Sequence, residues 1–331
     1  MNIDNARQLK ASILQEVTTS FSTVAAVQAL GIRAQARPRG NDALRTMAIG
    51  ISRKGRQHRL AVRVQRRILE DDPILERIRK QSKREVDVRY VGKIQKLETP
   101  TTLQKRRRPL VIGCSIGHFK ITAGTLGCFV KDRATGDRLI LSNNHVLANE
   151  NDASPGDAII QPGSFDGGKK ATDTVGQLVS FVKLKPAGVN FVDCAVASIK
   201  SAIEIRAKKL GTFGNLAGLG PVISADGVEV RKVGRTTGET KGRVTAFELD
   251  NVVVGYDLGN LRFDDQIEIE GAGSAAFSDG GDSGSLIFDK DLGAVALLFA
   301  GGDQGGSNGM GLTYANPIRF VLDALKVDLL V

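Results

Sequence analysis

SDGGDSGSLIF, residues 278–288, sets one serine among glycines and follows it at once with an apolar run. Glycine costs folding entropy, so Gly280, Gly281 and Gly284 crowded around the small hydroxyl of Ser283 need a reason. One reading is a tight turn entering a β-strand. The other is a nucleophile held at a bend, with backbone N–H groups turned toward a substrate. The rest of the chain has to decide between them.

Around this stretch, from Pro109 to about residue 316, short apolar strands alternate with Gly, Asp and Asn turns, the mark of a β-barrel or sandwich. NPIRFVLDALKVDLL then reads as a C-terminal helix, with Ile318, Val321, Leu322 and Leu325 on one side. The front of the chain is different. Residues 3–17 carry a helical stripe of Ile3, Ala6, Leu9, Ile13, Leu14 and Val17. TMAIGIS and HRLAVRVQ flank the turn RKGRQ as a hairpin, with Leu60, Val62 and Val64 alternating against polar neighbours. A helix opens at Asp72-Pro73 and runs to about Ser82, and the strand VDVRYV follows. LETPTTLQKRRRP, residues 97–109, has no periodicity and reads as a linker. The expected organisation is a small α+β unit at 1–96, the linker at 97–109, and a mainly β region at 110–331.

The 331 residues are 41% apolar, enough for substantial cores. No run of 18 apolar residues suggests a membrane span. The opening MNIDNARQLKASILQEV has early acids and no apolar core of secretory type, so a cytoplasmic location is expected. Cys114, Cys128 and Cys194 are an odd, sparse set that fits reduced thiols. With three histidines beside them, neither a metal site nor a cofactor is expected. The net charge of +10 is uneven: residues 1–108 hold 25 Lys and Arg against 10 Asp and Glu, while the remainder holds 21 against 26. A basic front fits an acidic protein partner, nucleic acid or a solvated surface. Phe21 and Tyr90 are its sole aromatics, too few for base stacking.

If Ser283 is a nucleophile, it needs a base, because a free hydroxyl is a poor nucleophile at neutral pH. His145 lies just past the strand RLILS, in SNNHVLAN, held by the strand end and reachable from a cleft. A carboxylate that orients this base should be shielded from water. Asp193, embedded in VNFVDCAVASI, meets that condition, since an unpaired buried carboxylate is costly. Asp152, Asp157, Asp166 and Asp173 sit in polar, Gly-rich sequence and read as solvated. His58 belongs to a basic hairpin turn, and His118 reads as structural or surface. The glycine-rich stretches beginning at Gly211 and Gly234 lack the ending of a phosphate loop and read as turns.

In the order His145, Asp193, Ser283, the segments NNHVL, DCAVA and GDSGS resemble those of the chymotrypsin-like (trypsin-fold) serine proteases. The likeness covers roughly residues 110–325. It is nearest to bacterial intracellular members and the plant narrow-leaf proteases, whose SNNHVLAN, VRKVGRTTGETKGRV and LLFAGG segments look similar. The resemblance implies two six-stranded antiparallel β-barrels with the site in the crevice between them. It implies a serine endopeptidase in which Ser283 attacks, His145 is base then acid, Asp193 orients it, and the Gly281 and Ser283 N–H groups form the oxyanion hole. It further implies a substrate pocket walled by Phe277, Ser278, Leu298, Ala300, Gly301, Gly311 and Thr313, with no charged floor, hence a small or medium apolar residue before the cut. Two departures stand out. No cysteine sits on the C-terminal flank of His145, so the disulfide usual near it is absent. The barrel region is also preceded by another unit, so insertion of a newly cut amino terminus is doubtful and Asp282 needs another partner. Alternatives are a catalytically silent scaffold of the same fold and a nucleic-acid-associated effector; the expected substrate is a protein or peptide, and self-association stays open.

Overall fold

The computed structural model describes residues 1–15, 47–55, 57–65, 73–91, 94–95 and 102–331; Val17, Asp72 and residues 96–101 of the expected elements lie outside them. Residues 3–15 form helix α1, which buries Ala6 and Ile13 of the apolar stripe. β1 (Met47–Lys54) and β2 (Gln57–Val64) form the expected hairpin, and after α2 (Pro73–Gln81) the strand β3 (Val86–Tyr90) lies parallel to β2. One detail differs from the alternating pattern. Ala61 and Arg63 are as fully buried as Leu60, Val62 and Val64. Both faces of the hairpin are covered, because Ala48 and Ala61 pack into an apolar cluster with the barrel residues Val254, Leu261, Phe263 and Tyr314.

The first barrel is built from β4 (Ser115–His118), β5 (Gly124–Thr125), β6 (Cys128–Asp132), β7 (Arg138–Ser142), β8 (Ala158–Ile160), β9 (Thr174–Phe181) and β10 (Ala195–Ser198). Its sheet curls in the order β5-β4-β8-β9-β10-β7-β6. The ends meet because β5 runs straight on through Leu126 and Gly127 into β6. Phe129, Ile140, Ile159, Val175 and Val196 belong to one core, and neighbours such as Val130 and Leu141 are buried with them, so these strands are covered on both faces.

The second barrel consists of β11 (Glu229–Gly234), β12 (Gly238–Asp250), β15 (Gln266–Gly271), β16 (Leu286–Asp289), β17 (Gly293–Gly302) and β18 (Leu312–Pro317). A hairpin of β13 (Val252–Tyr256) and β14 (Gly259–Phe263) leaves the end of β12. The ring closes through hydrogen-bonded neighbours in the order β11-β16-β17-β18-β15-β12, with β12 pairing back to β11. The chain is thus mainly β with two barrels, as expected. β12 is long enough to pair β15 within the barrel and β1 beyond it, so β1–β3 extend the same sheet.

The C-terminal segment is a correction. α4 (Ile318–Leu325) packs Ile318, Val321, Leu322 and Leu325 on the first barrel, but the helix stops there. Lys326 takes a left-handed conformation (φ 56°), and Val327–Leu329 becomes strand β19 on β6. The apolar stripe therefore marks four helical residues correctly and misses the strand, whose partner lies almost two hundred residues away.

All three cysteines are buried and free. Burial pushes the Cys114 thiol up to about 11 and Cys128 up to about 12, and holds Cys194 well above its usual value. Since the thiolate is the reactive form, about a thousandth or less of Cys114 and Cys128 is reactive at pH 8, and the raised pKa of Cys194 acts in the same direction. Native protein treated with a thiol reagent at pH 8 is therefore expected to label slowly, and to release three equivalents once denatured. Fast stoichiometric labelling of the native fold would contradict the burial described here.

Candidate active site

The segment SNNHVL owes its two asparagines to the turn it makes. After β7 the chain enters one helical turn, α3 (Asn144–Leu147). Asn143 Nδ2 donates to the Asp193 carbonyl at 2.7 Å, and Asn144 Nδ2 donates to the Val182 carbonyl at 2.8 Å. These side chains tie α3 to the segment before β10 and bring His145 onto Asp193. The imidazole Nδ1 lies 2.5 Å from Asp193 Oδ2. A carboxylate accepts only, so Nδ1 carries the proton and Nε2 is the free acceptor.

Asp193 is fully buried, yet none of its polar valence is wasted. Oδ1 accepts the Asn144 N–H at 2.6 Å and the His145 N–H at 3.3 Å. Oδ2 accepts from His145 and, at 2.6 Å, from the Tyr256 hydroxyl. The Asp193 N–H donates to Asn316 Oδ1 of β18 at 2.9 Å, which fixes the loop from the second barrel.

Ser283 sits at the bend before β16 with 7% of its surface exposed. Its carbonyl accepts the Thr125 N–H at 2.8 Å, and Thr125 Oγ1 donates to the Gly281 carbonyl at 2.8 Å, so β5 of the first barrel grips the bend on both sides of Asp282. The Ser283 hydroxyl is directed to the Phe299 carbonyl at 3.5 Å, the outer limit of a hydrogen bond, rather than to His145. Among the described residues, neither the Gly281 N–H nor the Ser283 N–H donates to a protein acceptor. Gly281 has φ +83°, and a Cβ there would collide with the Arg235 guanidinium, so both conformation and space demand glycine.

Asp282 finds its partner within the barrel. Its carboxylate and the ammonium of Lys232 on β11 lie 3.1 Å apart, and both side chains are fully buried. The turn between β11 and β12 adds the Thr236 N–H at 2.8 Å and the Thr237 hydroxyl at 2.6 Å. Burial pushes the Lys232 ammonium below its ordinary pKa, and the Asp282 charge opposes that fall. Next to it, Arg235 makes two 2.7 Å bonds to Asp166, whose side chain is 4% exposed. Asp166 is therefore not the solvated loop acid its sequence suggests, since its partner is 69 residues further on. Lys232, Arg235, Thr236 and Thr237 lie in VRKVGRTTGETKGRV, which the sequence offered as a segment of resemblance and as turns from Gly234 on, with no role for any of the four, and Tyr256 carried no signal of its own.

The remaining candidates fall in two groups. Ser278 Oγ and Thr313 Oγ1 lie 2.6 Å apart, and a Cβ at Gly301 would come within 3.6 Å of Ser278 Oγ, so these three converge. Gly311, at φ +94°, leads into β18 at Leu312. The side chains of Phe277 and Leu298 join the core of the second barrel, and Ala300 packs with the β13–β14 hairpin. His118 is buried, 3.1 Å from Asp157, and its pKa is lowered by burial. It is remote from Asp193 in the hydrogen-bond network. No group of three or more metal-ligating side chains occurs among the described residues.

No family model and no curated protein matches the sequence. Among solved structures, the chain is similar to Thermobifida fusca protease A at 18% identity, over 67% of this chain and 98% of that one, with a TM-score of 0.46. Cellulomonas bogoriensis chymotrypsin matches at 18% identity over 66% and 97%, TM-score 0.45. A glutamic-acid-specific serine protease matches at 20% over 67% and 100%, TM-score 0.47.

Removing one half of a buried ion pair leaves an uncompensated charge, typically at a cost of about 3–5 kcal/mol. Lys232→Met is expected to lose about that much unfolding free energy in urea, and adding Asp282→Asn should recover part of it. A loss below about 1 kcal/mol would mean that the pair does not hold the bend.

Proposed function

We propose that the chain is a serine endopeptidase working through His145, Asp193 and Ser283. The observation that carries this reading is the 2.5 Å contact of His145 Nδ1 with a buried, four-fold hydrogen-bonded Asp193. A carboxylate so arranged fixes the tautomer that leaves Nε2 as a base and steadies the imidazolium formed on proton uptake. On substrate binding the Ser283 hydroxyl turns from its long contact with Phe299 to Nε2, a tightening common to catalytic hydrogen bonds. Oγ adds to the peptide carbonyl as its proton passes to His145. The unused Gly281 and Ser283 N–H groups receive the oxyanion, each such donor being worth roughly 3 kcal/mol. Collapse expels the amine with the proton from His145, and water repeats the sequence on the acyl-enzyme.

Ser278, Gly301 and Thr313, which lie together, are proposed to border the subsite for a small or medium apolar side chain on the acyl side of the cut. Three free buried thiols suit a reducing compartment, in keeping with a cytoplasmic protein. Residues 1–96, joined through 97–109 to the protease region at 110–331, are proposed to recruit or regulate. The charge of the first 108 residues supports an acidic protein partner or substrate; nucleic acid is the lesser alternative.

Ser283→Ala and His145→Ala should each lower peptidase turnover and fluorophosphonate labelling by more than about 10³-fold, because the groups act as a unit. Retention of a tenth of the activity in either variant would remove the proposal, and a wild-type chain that never labels would favour the silent scaffold. Recruitment is tested separately. Cleavage of an acidic protein substrate should slow between about 50 and 200 mM salt, where screening shortens, while hydrolysis of a short neutral peptide stays level. Equal salt response of both substrates would reduce the basic front to a solvated surface.

A further inference from the structure

Tyr256 ends β13, and its ring stands edge-on to the His145 imidazole with centroids 5.8 Å apart. Its hydroxyl donates at 2.6 Å to Asp193 Oδ2, the same oxygen that faces His145 Nδ1 at 2.5 Å. We propose that Tyr256 is a positioning residue of the His145–Asp193 pair, whose phenol shares the charge of Asp193 with the imidazole and so sets the basicity of His145. This rests on the peptidase reading above.

A carboxylate oxygen has two lone-pair directions. Both directions of Oδ2 are taken, one by the base and one by the phenol, while Oδ1 is filled by two backbone amides. The phenol is the one donor on Oδ2 that competes directly with the imidazole. Each donor draws charge from the carboxylate, and in a water-free site the charge that remains decides how strongly protonated His145 is stabilised. The phenol keeps its proton throughout the working range, since burial first and the Asp193 charge second hold its pKa well above the usual value. Its position is set by packing as well. Tyr256 stacks on Phe263 at 5.9 Å, Phe263 lies 4.7 Å from Phe299, and the Phe299 carbonyl is the acceptor of Ser283 Oγ. One row of rings thus runs from the acid to the nucleophile.

The other titratable groups facing this cluster are Glu150, Asp257 and Cys194. Leu258 N–H donates to Glu150 at 3.2 Å, and burial raises the Glu150 pKa. Asp257 adds to the Glu150 field, and Cys194 is fully buried with a raised pKa. All three side chains are present in wild type and variants alike, and Glu150 also acts on Tyr256, so the two Tyr256 variants with opposite expected shifts separate the phenol from this common background.

The acid limb of kcat/KM against pH reports the imidazole of the free enzyme. Tyr256→Phe leaves the ring and removes the donor. More of the Asp193 charge then stabilises protonated His145, and the limb should move up by about half a pH unit or more. 3-Fluorotyrosine at position 256 is a stronger donor of nearly the same shape and should move the limb down; it also serves if Tyr256→Phe fails to fold. A tyrosine whose ring alone matters would leave the limb where it is in both variants. Unmoved limbs in both variants overturn the inference while the peptidase reading stands. If wild type shows no Ser283-dependent turnover, the peptidase reading fails instead. The imidazole is then titrated directly by NMR, where the same two opposite shifts are expected and their absence refutes the charge sharing.

Discussion

A carboxylate with no access to water must be matched by donors or a cation before the chain around it can hold any shape, and Asp282 imposes that demand at the centre of this molecule. It lies between Gly281 and Ser283, so whatever satisfies it also fixes the two N–H groups proposed to receive the oxyanion. Lys232, the Thr237 hydroxyl and the amides of Thr236 and Thr237 meet the demand from β11 and the turn after it. Because the counter-charge is a side chain of the same barrel, Asp282 is satisfied within the fold itself. Arg235 then fills the space behind Gly281 and is itself neutralised by Asp166 of the first barrel. A bend built from glycines is held by charges its own sequence does not contain.

The two barrels exchange supports. Thr125 of the first barrel grips the Gly281 and Ser283 backbone of the second. In return, Asn316 and Tyr256 of the second barrel hold Asp193 of the first. Asn316 is itself fixed by Gln266 at 2.6 Å, and Gln266 reaches back to the Phe191 carbonyl at 2.9 Å. Relative sliding of the barrels would break both sets of bonds at once. The placement of His145 relative to Ser283, on which the proposed proton transfer depends, is therefore a property of the interface as a whole, which local loop conformation alone could not guarantee.

What could be read from sequence follows from range. The bend at Ser283, the histidine at a strand end and an acid inside an apolar run are local patterns, and each is visible within about ten residues. Short apolar runs between Gly, Asp and Asn turns likewise mark the barrel hairpins. Asp166, Lys232 and Tyr256 are different, because their roles depend on partners 69, 50 and 63 residues away. Asp166 in a Gly-rich loop has the local signature of a solvated acid, and only the arrival of Arg235 reverses it. Val327–Leu329 failed for the same reason: a short apolar end after a helix continues the helical stripe until Lys326 turns left-handed and a remote strand offers its edge.

Charge was legible as a total but not as a distribution of partners. The front of the chain is strongly basic and the barrels are mildly acidic, and part of that contrast is spent inside the molecule. Arg63 is fully buried with both Glu268 oxygens at 2.7 Å, while Asp87 lies 3.1 Å from its other side. Glu268 also takes the Thr245 hydroxyl at 2.7 Å and the Tyr314 hydroxyl at 3.3 Å, so β2 is locked to β12, β15 and β18 together. Lys10 pairs with Asp250 at 3.1 Å, and Arg7 pairs with Glu248. Exposed pairs of the second kind contribute little stability, but the buried Arg63–Glu268 pair fixes the register of the N-terminal strands on the barrel, because neither charge tolerates losing the other. The cations left for an outside partner are consequently fewer than the count suggests, and the contrast in sign between front and barrels acts first to join the two parts of this chain.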